Sequence, residues 1–162
     1  MAILKTANCK GKYRDEESKE DVIHYILNPI KMPHNFFGGL GVDPMCPTES
    51  MKLVSEQFGK ERGVQLRHFI IAFAPKELPS MSAASQIAQR ITRFLGQEYQ
   101  AVYAVHENPD CPHIHIVMNS VSYVDGHRYY GTRQEFFQMK NEVHNTLREH
   151  GIRVLKYVPA KG

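Results

Sequence analysis

The sequence predicts an α+β sandwich, one mainly antiparallel sheet with helices packed on it. Two observations carry this. Short apolar runs rich in β-formers alternate with amphipathic stretches at helical spacing. The six-residue connector between Tyr99–His106 and His113–Tyr123 is also too short for a helical crossover, so those two runs pair as a hairpin. At 162 residues the chain has the size of one domain with a real core.

The expected elements follow in order. Ala2 to Ala7 reads as a strand, followed by a polar turn around Cys9–Arg14. Ser18, with Asp21 three residues on, reads as the cap of a helix carrying Val22, Ile23, Ile26 and Leu27 on one face. That helix stops near Asn28, because Pro29 disfavours helical backbone before it. Ile30–Pro47, with three prolines and three glycines, reads as a long loop, and its Phe36–Gly41 part as a mobile cover or a connector. Thr48 caps a second helix through about Lys60, with Met51, Val54 and Phe58 at helical spacing. Gln65–Ala74 is the clearest strand, ended by Pro75. Ser82–Leu95 is a helix with Ala84, Ile87, Ile91 and Leu95 in a stripe. Tyr99–His106 and His113–Tyr123 are strands, Arg133–His150 is the last helix, and Arg153–Val158 is a closing strand or an extended tail.

Composition narrows the function classes. The net charge of +3 is compatible with a polyanionic partner and far too small to require one. Three scattered cysteines, Cys9, Cys46 and Cys111, form no CxxC unit, which argues against a zinc ribbon or a disulfide framework. The N-terminus turns polar within a few residues and no apolar run approaches the roughly 20 residues that span a bilayer. A soluble, cytoplasmic protein without membrane insertion is the expectation.

The segment VHENPDCPHIHIVMN carries the chemistry. Side chains alternate along a strand, so His113 and His115 share a face and Ile114, Ile116 and Met118 point the other way, with Asn119 on the histidine side. Only ENPDCP separates His106 from His113, so a hairpin sets these two roughly opposite each other. Three converging imidazoles suit a divalent ion and leave positions open for substrate oxygens. Glu107, Asn108, Asp110 and Asn119 are candidates to orient the ligands, and His68 is either another or a solvent-facing strand residue. A metal with open positions either activates water or polarises a phosphate for a side-chain nucleophile. Tyr25, at the edge of the apolar arc of its helix, is the foremost tyrosine for that role; it also reads as an amphipathic tyrosine with a wet hydroxyl. Tyr13, Tyr129 and Tyr130 remain further options.

These residues resemble the conjugative relaxases, the plasmid mobilisation nucleases of the HUH endonuclease superfamily, and most closely the MobP-like group. HENPDCPHIHIVMN resembles their histidine motif, DVIHYILNPIK their tyrosine motif, and RHFIIAFAP with the following helix the elements between. The similarity runs from about Val22 to Ile152. Asn108 stands where the family often has an acid. The resemblance implies a relaxase sandwich over residues 1–162, the front part of a longer protein. It implies site- and strand-specific DNA nicking and strand transfer at a transfer origin. Tyr25 would form a 5′-phosphotyrosyl link, and an ion on His106, His113 and His115 would offset charge on the scissile phosphate. Mn²⁺ or Mg²⁺ is the expected ion, with Zn²⁺ or Ni²⁺ as alternatives. The implied partners are single-stranded DNA, accessory DNA-binding proteins and a secretion-system coupling protein, with export alongside the transferred strand.

Lys31, Arg67, Arg128, Tyr129, Tyr130 and Arg133 supply the cations and rings that single-stranded DNA needs, and HRYYGTR is expected to line the histidine site. Three other readings stay open. A rolling-circle replication initiator or HUH transposase would share the metal and the tyrosine. A water-activating metallohydrolase would make no covalent adduct, and a non-catalytic DNA-binding module would survive loss of the histidines.

Overall fold

In a computed structural model that describes residues 1–7, 13–14, 16–43, 45–152 and 155–158, four helices pack on one six-stranded sheet. The elements are β1 (Ala2–Ala7), α1 (Glu16–Ile26), β2 (Phe37–Leu40), α2 (Pro47–Gln57), β3 (Leu66–Ala72), α3 (Met81–Leu95), β4 (Ala101–His106), β5 (His113–Asn119), α4 (Arg133–Glu149) and β6 (Leu155–Val158). Strand order is β2-β4-β5-β3-β1-β6. Every pairing is antiparallel except β1 with β6, so the α+β class read from the sequence holds.

Both faces of the sheet are covered, and the two cores explain the apolar pattern. Ile114, Ile116 and Met118 of β5, with Tyr103 and Val105 of β4, pack under α3 and α4 through Ala84, Ile87, Ile91, Leu95, Val143 and Leu147. The stripe expected on α3 is buried throughout. On the opposite face, Val102, Ala104 and Val117 pack under Ile23 and Ile26 of α1 and Met51 of α2. Strand β4 is therefore buried throughout, and β5 everywhere but at His113.

Local chemistry sets the helix ends. Ser80 accepts a hydrogen bond from the Ala83 N–H at 3.0 Å and starts α3. Thr132 accepts from the Glu135 N–H at 3.2 Å, while the Glu135 carboxylate accepts from the N–H groups of Tyr130 and Gly131, and together these start α4. Two expected caps are displaced. Helix α1 begins at Glu16, ahead of Ser18, and α2 begins at Pro47, so Thr48 lies inside it. Pro47 sits where a helix has no use for an N–H, which makes it the better start signal. The expected turn at Cys9–Arg14 lies largely outside the described residues, as do positions 153–154 of the closing strand.

The long loop Ile30–Pro47 needs a larger correction. Its Phe36–Gly41 part is no cover and no plain connector: FGGL forms edge strand β2, paired with β4 from Phe37↔Ala104 to Leu40↔Ala101. Glycine weakens a strand's intrinsic signal, but here it makes room. A Cβ on Gly38 would lie 2.8 Å from the Tyr103 hydroxyl, so the ring of Tyr103 occupies the space of the missing side chain. Among the described residues, no helix is long and apolar enough to cross a membrane.

Ile114 lies on the α3/α4 side of β5, facing away from the histidines. Ile114→Ala should cost about 2–5 kcal/mol in chemical denaturation. Its metal affinity, titrated well below the melting temperature, should stay at the parent value.

Candidate metal centre and its tyrosine

The histidine cluster sits at the end of the β4–β5 hairpin, where the register pairs His106 with His113 and Ala104 with His115. His115 and His106 are buried and His113 is half-buried at the rim. One ligand nitrogen from each of the three comes within 4.8 Å of the others. The face and the hairpin geometry expected from the sequence are both present.

Partner atoms define the tautomers. A carbonyl only accepts, so His106 donates its Nε2–H to the Ile26 carbonyl at 2.7 Å and keeps a lone pair on Nδ1. His113 donates its Nδ1–H to the Cys111 carbonyl at 2.8 Å and keeps Nε2 free. The Nδ1 of His115 lies 2.7 Å from His68 Nε2, and His68 Nδ1 lies 3.2 Å from the Tyr13 hydroxyl. Two nitrogens, His106 Nδ1 and His115 Nε2, are buried with no hydrogen-bond partner among the described residues. Buried polar atoms left bare carry a desolvation cost. A cation accepting their lone pairs removes it, so this donor set fits a divalent ion.

Electrostatics points the same way. Burial pushes His68 down to about 4, with the neighbouring His106 adding to it. Burial also drives His115 far below the ordinary imidazole range, helped by His68, His106, His113 and Lys31. His106 is lowered chiefly by burial, with the Ile26 carbonyl pulling the other way. Neutral imidazole is the metal-ligating form, so the fold keeps these groups ready at neutral pH.

Helix α1 brings Tyr25 to the cluster. Pro29 ends α1, and Asn28 caps the 3₁₀ turn Pro29–Lys31 by accepting from the Ile30 N–H at 3.0 Å. The turn carries Lys31 back so that its Nζ stands 3.8 Å from the centre of the Tyr25 ring. Tyr25 is 49% exposed, and its ring centre lies 5.8 Å from both the His106 and His115 rings. It thus stands at the open side of the cluster, next to the two imidazoles with bare nitrogens.

Other candidates from the sequence fall elsewhere. Asn119 is on the histidine face, yet it donates to the Met51 carbonyl and the Gln100 side chain and caps the Val121 N–H, so it secures α2 and touches no histidine. The Glu107 carboxylate turns to His34, accepting from its backbone and ring, and Asn108 caps the turn at Asp110. Of the proposed orienting groups, only His68 meets a ligand. Tyr13, named in the sequence only as a spare nucleophile, is instead the partner of His68.

HRYYGTR does not line the histidine site. Strand β5 runs away from His113, so this segment follows the far end of the sheet, where the Tyr129 N–H bonds the Ser120 carbonyl. Arg67 belongs there too. Its backbone neighbour His68 faces the cluster, so Arg67 faces α3 and α4 and donates to the Tyr129 carbonyl. Arg128 clamps the carbonyls of Lys60, Arg62 and Val64, while Tyr130 and Arg133 are exposed.

The family profile of the relaxase, MobA/VirD2-like, nuclease domain matches residues 25–152. Protein rlx of Staphylococcus aureus is 29% identical over 123 residues, 76% of this chain and 39% of that protein. A second Protein rlx of the same species is 27% identical over 116 residues, 72% of this chain and 36% of that protein. The chain spans well under half the length of these curated relatives. No solved structure gives a significant match.

The buried neutral imidazoles generate a pH test. His68 is held at about 4 in the fold against an ordinary 6.5, so between these values the unfolded chain binds more protons than the folded one. Stability then rises with pH through this window and is lost as the solution is acidified below about 6.5. In urea denaturation of metal-free protein, His68→Gln should flatten the slope by up to about 1.4 kcal/mol per pH unit. An unchanged slope would mean that His68 is protonated in the fold.

Proposed function

The chain belongs to the MobA/VirD2-like relaxase nuclease family, and from that premise we propose that it nicks one DNA strand at a transfer origin through a covalent link to Tyr25. The observation that carries this reading is Tyr25, 49% exposed, beside two buried imidazoles whose second nitrogens have no hydrogen-bond partner among the described residues.

His106 through Nδ1, with His113 and His115 through Nε2, would hold a divalent ion. Mn²⁺ suits these nitrogen donors better than Mg²⁺, with Zn²⁺ or Ni²⁺ as substitutes. Bound there, the ion would supply Lewis-acid contact to an oxygen of the scissile phosphate. The remaining work falls to the chain. His68, backed by Tyr13, holds His115 in the Nδ1–H tautomer and so turns Nε2 to the open side. Lys31 offers a cation to the phosphate backbone within reach of the phenol.

Tyr25 Oη attacks phosphorus. The new Oη–P bond forms as the P–O3′ bond breaks, the phenol proton passes to solvent, and the 3′ oxygen takes one up. The products are a 5′-phosphotyrosyl link and a free 3′-hydroxyl. One phosphoester replaces another, so the step is nearly balanced and the strand can be rejoined by the reverse attack. The ligands are neutral, so the full positive charge of the ion remains for the phosphate. Single-stranded DNA is the substrate on this reading, with accessory DNA-binding proteins and a coupling protein as partners of the longer family members.

Incubation with Mn²⁺ and oligonucleotides tiling the origin of its own genetic element should give a protein–DNA adduct that survives denaturation and maps to Tyr25. Chelator should abolish it, and so should Tyr25→Phe with the fold intact. Cleavage without any adduct would sink the tyrosine mechanism in favour of activated water. Separately, His68→Ala should weaken Mn²⁺ binding by about 10–100-fold in titration calorimetry, with Tyr25 untouched.

A further inference from the structure

A cavity of about 220 Å³ opens at the end of the sheet opposite His106 and His113, bordered on one side by Tyr13, the partner of His68. Its walls are aromatic: Phe69 and Tyr129 meet edge to face at 6.3 Å, and Phe136 lies against Tyr157 at 4.0 Å between ring centres. Tyr130, 68% exposed, lines it too. At this size the cavity is smaller than the roughly 300–1,000 Å³ clefts of drug-sized ligands, and is on the scale of one planar ring system.

Two polar features in these walls lack partners. Arg67 donates its Nε–H to the Tyr129 carbonyl, which leaves both terminal amino groups without a hydrogen bond among the described residues. The half-buried guanidinium lies 5.9 Å from the centre of the Tyr129 ring, and burial lowers its pKa. The Tyr129 hydroxyl is buried with no hydrogen-bond partner among the described residues, and burial pushes its pKa up to about 12, so it keeps its proton. A guanidinium fork with free amines calls for two adjacent acceptors in one plane. Aromatic walls call for a flat apolar face.

Resting on the single-strand reading above, we propose that this cavity takes one unstacked nucleobase of the bound DNA and prefers guanine. The O6 and N7 atoms of guanine present the acceptor pair that an arginine fork matches. Adenine has one acceptor beside a donor there, and a pyrimidine offers a smaller face. Stacking on the rings supplies base-independent affinity, and Arg67 supplies the choice.

The test is fluorescence anisotropy of the full chain in chelator, with short labelled oligo-dT strands whose central position is dT, dA, dC, dG or 7-deaza-dG. One dG should tighten binding by about tenfold. Replacing N7 by carbon in the 7-deaza base should remove most of that gain. Arg67→Lys keeps the charge and loses the fork, so it should bind oligo-dT as the parent does and show no dG preference. Equal affinity for every central base would overturn the proposal. So would an Arg67→Lys chain that loses affinity equally for all strands, since Arg67 would then be a phosphate contact. The measurement needs neither metal nor Tyr25, so its failure is distinguishable from failure of the nicking reading, which the adduct assay reports by itself.

Discussion

One hydrogen bond orders the candidate centre. Carbonyls in the last turn of a helix have no partner within it. The Ile26 carbonyl, at the end of α1, takes its proton from the buried Nε2–H of His106. That bond sets three things together. It assigns the His106 tautomer and leaves Nδ1 as the bare nitrogen. It also fixes the end of α1 above β4, and with it the neighbouring residue Tyr25. The apolar contacts of Ile23 and Ile26 with Ala104 and Val117 supply the surface that seats the helix. They are non-directional, however, and do not choose a tautomer. Lys31 follows as a consequence, because the 3₁₀ turn that begins at Pro29 starts from the same fixed end.

Among the described residues, no carboxylate hydrogen-bonds His106, His113 or His115. The nearest acid in sequence, Glu107, spends its carboxylate on His34, and His68 with Tyr13 takes the orienting place that a carboxylate often fills. A carboxylate beside a ligand histidine would raise its basicity and neutralise part of a cation's charge. A neutral imidazole orients without doing so. On the proposed reading, an all-imidazole set with an imidazole behind it suits a phosphodiester substrate, which itself brings the negative charge. The same arrangement explains why burial can depress these histidines so far, since no anion offsets the desolvation.

Much of this was readable in the chain because it depends on period and spacing. His-x-His on a strand gives a shared face, six intervening residues give a hairpin, and the actual register sets His106 opposite His113. Tyr25 at the edge of an apolar arc gives a phenol at the rim. The misses have physical causes. Strand β2 was hidden because its Gly38 makes room for the Tyr103 ring of the adjacent strand, a tertiary fact with no local signal. Asn119 lies on the correct face but too far along β5, since alternation gives the face and not the distance. Arg67 is a different case: it precedes His68 on one strand, so the alternation that joined His113 to His115 already separated Arg67 from the cluster.

That separation has a functional logic. In protein–DNA recognition, contacts to phosphate place the strand and contacts to bases identify it. Reading is best done where a base can leave the stack and meet fixed hydrogen-bonding groups. Strand β3 joins the two requirements through its pleat: His68 meets His115 of the candidate centre on one face, and Arg67, one residue away, lines the aromatic cavity on the other. A strand in the middle of the sheet would then fix the offset between the proposed reading point and the proposed cutting point. On this view the register of β3 against β5 measures where along a strand the phosphate falls. A slip of one residue would turn His68 from its ligand and Arg67 from its cavity together.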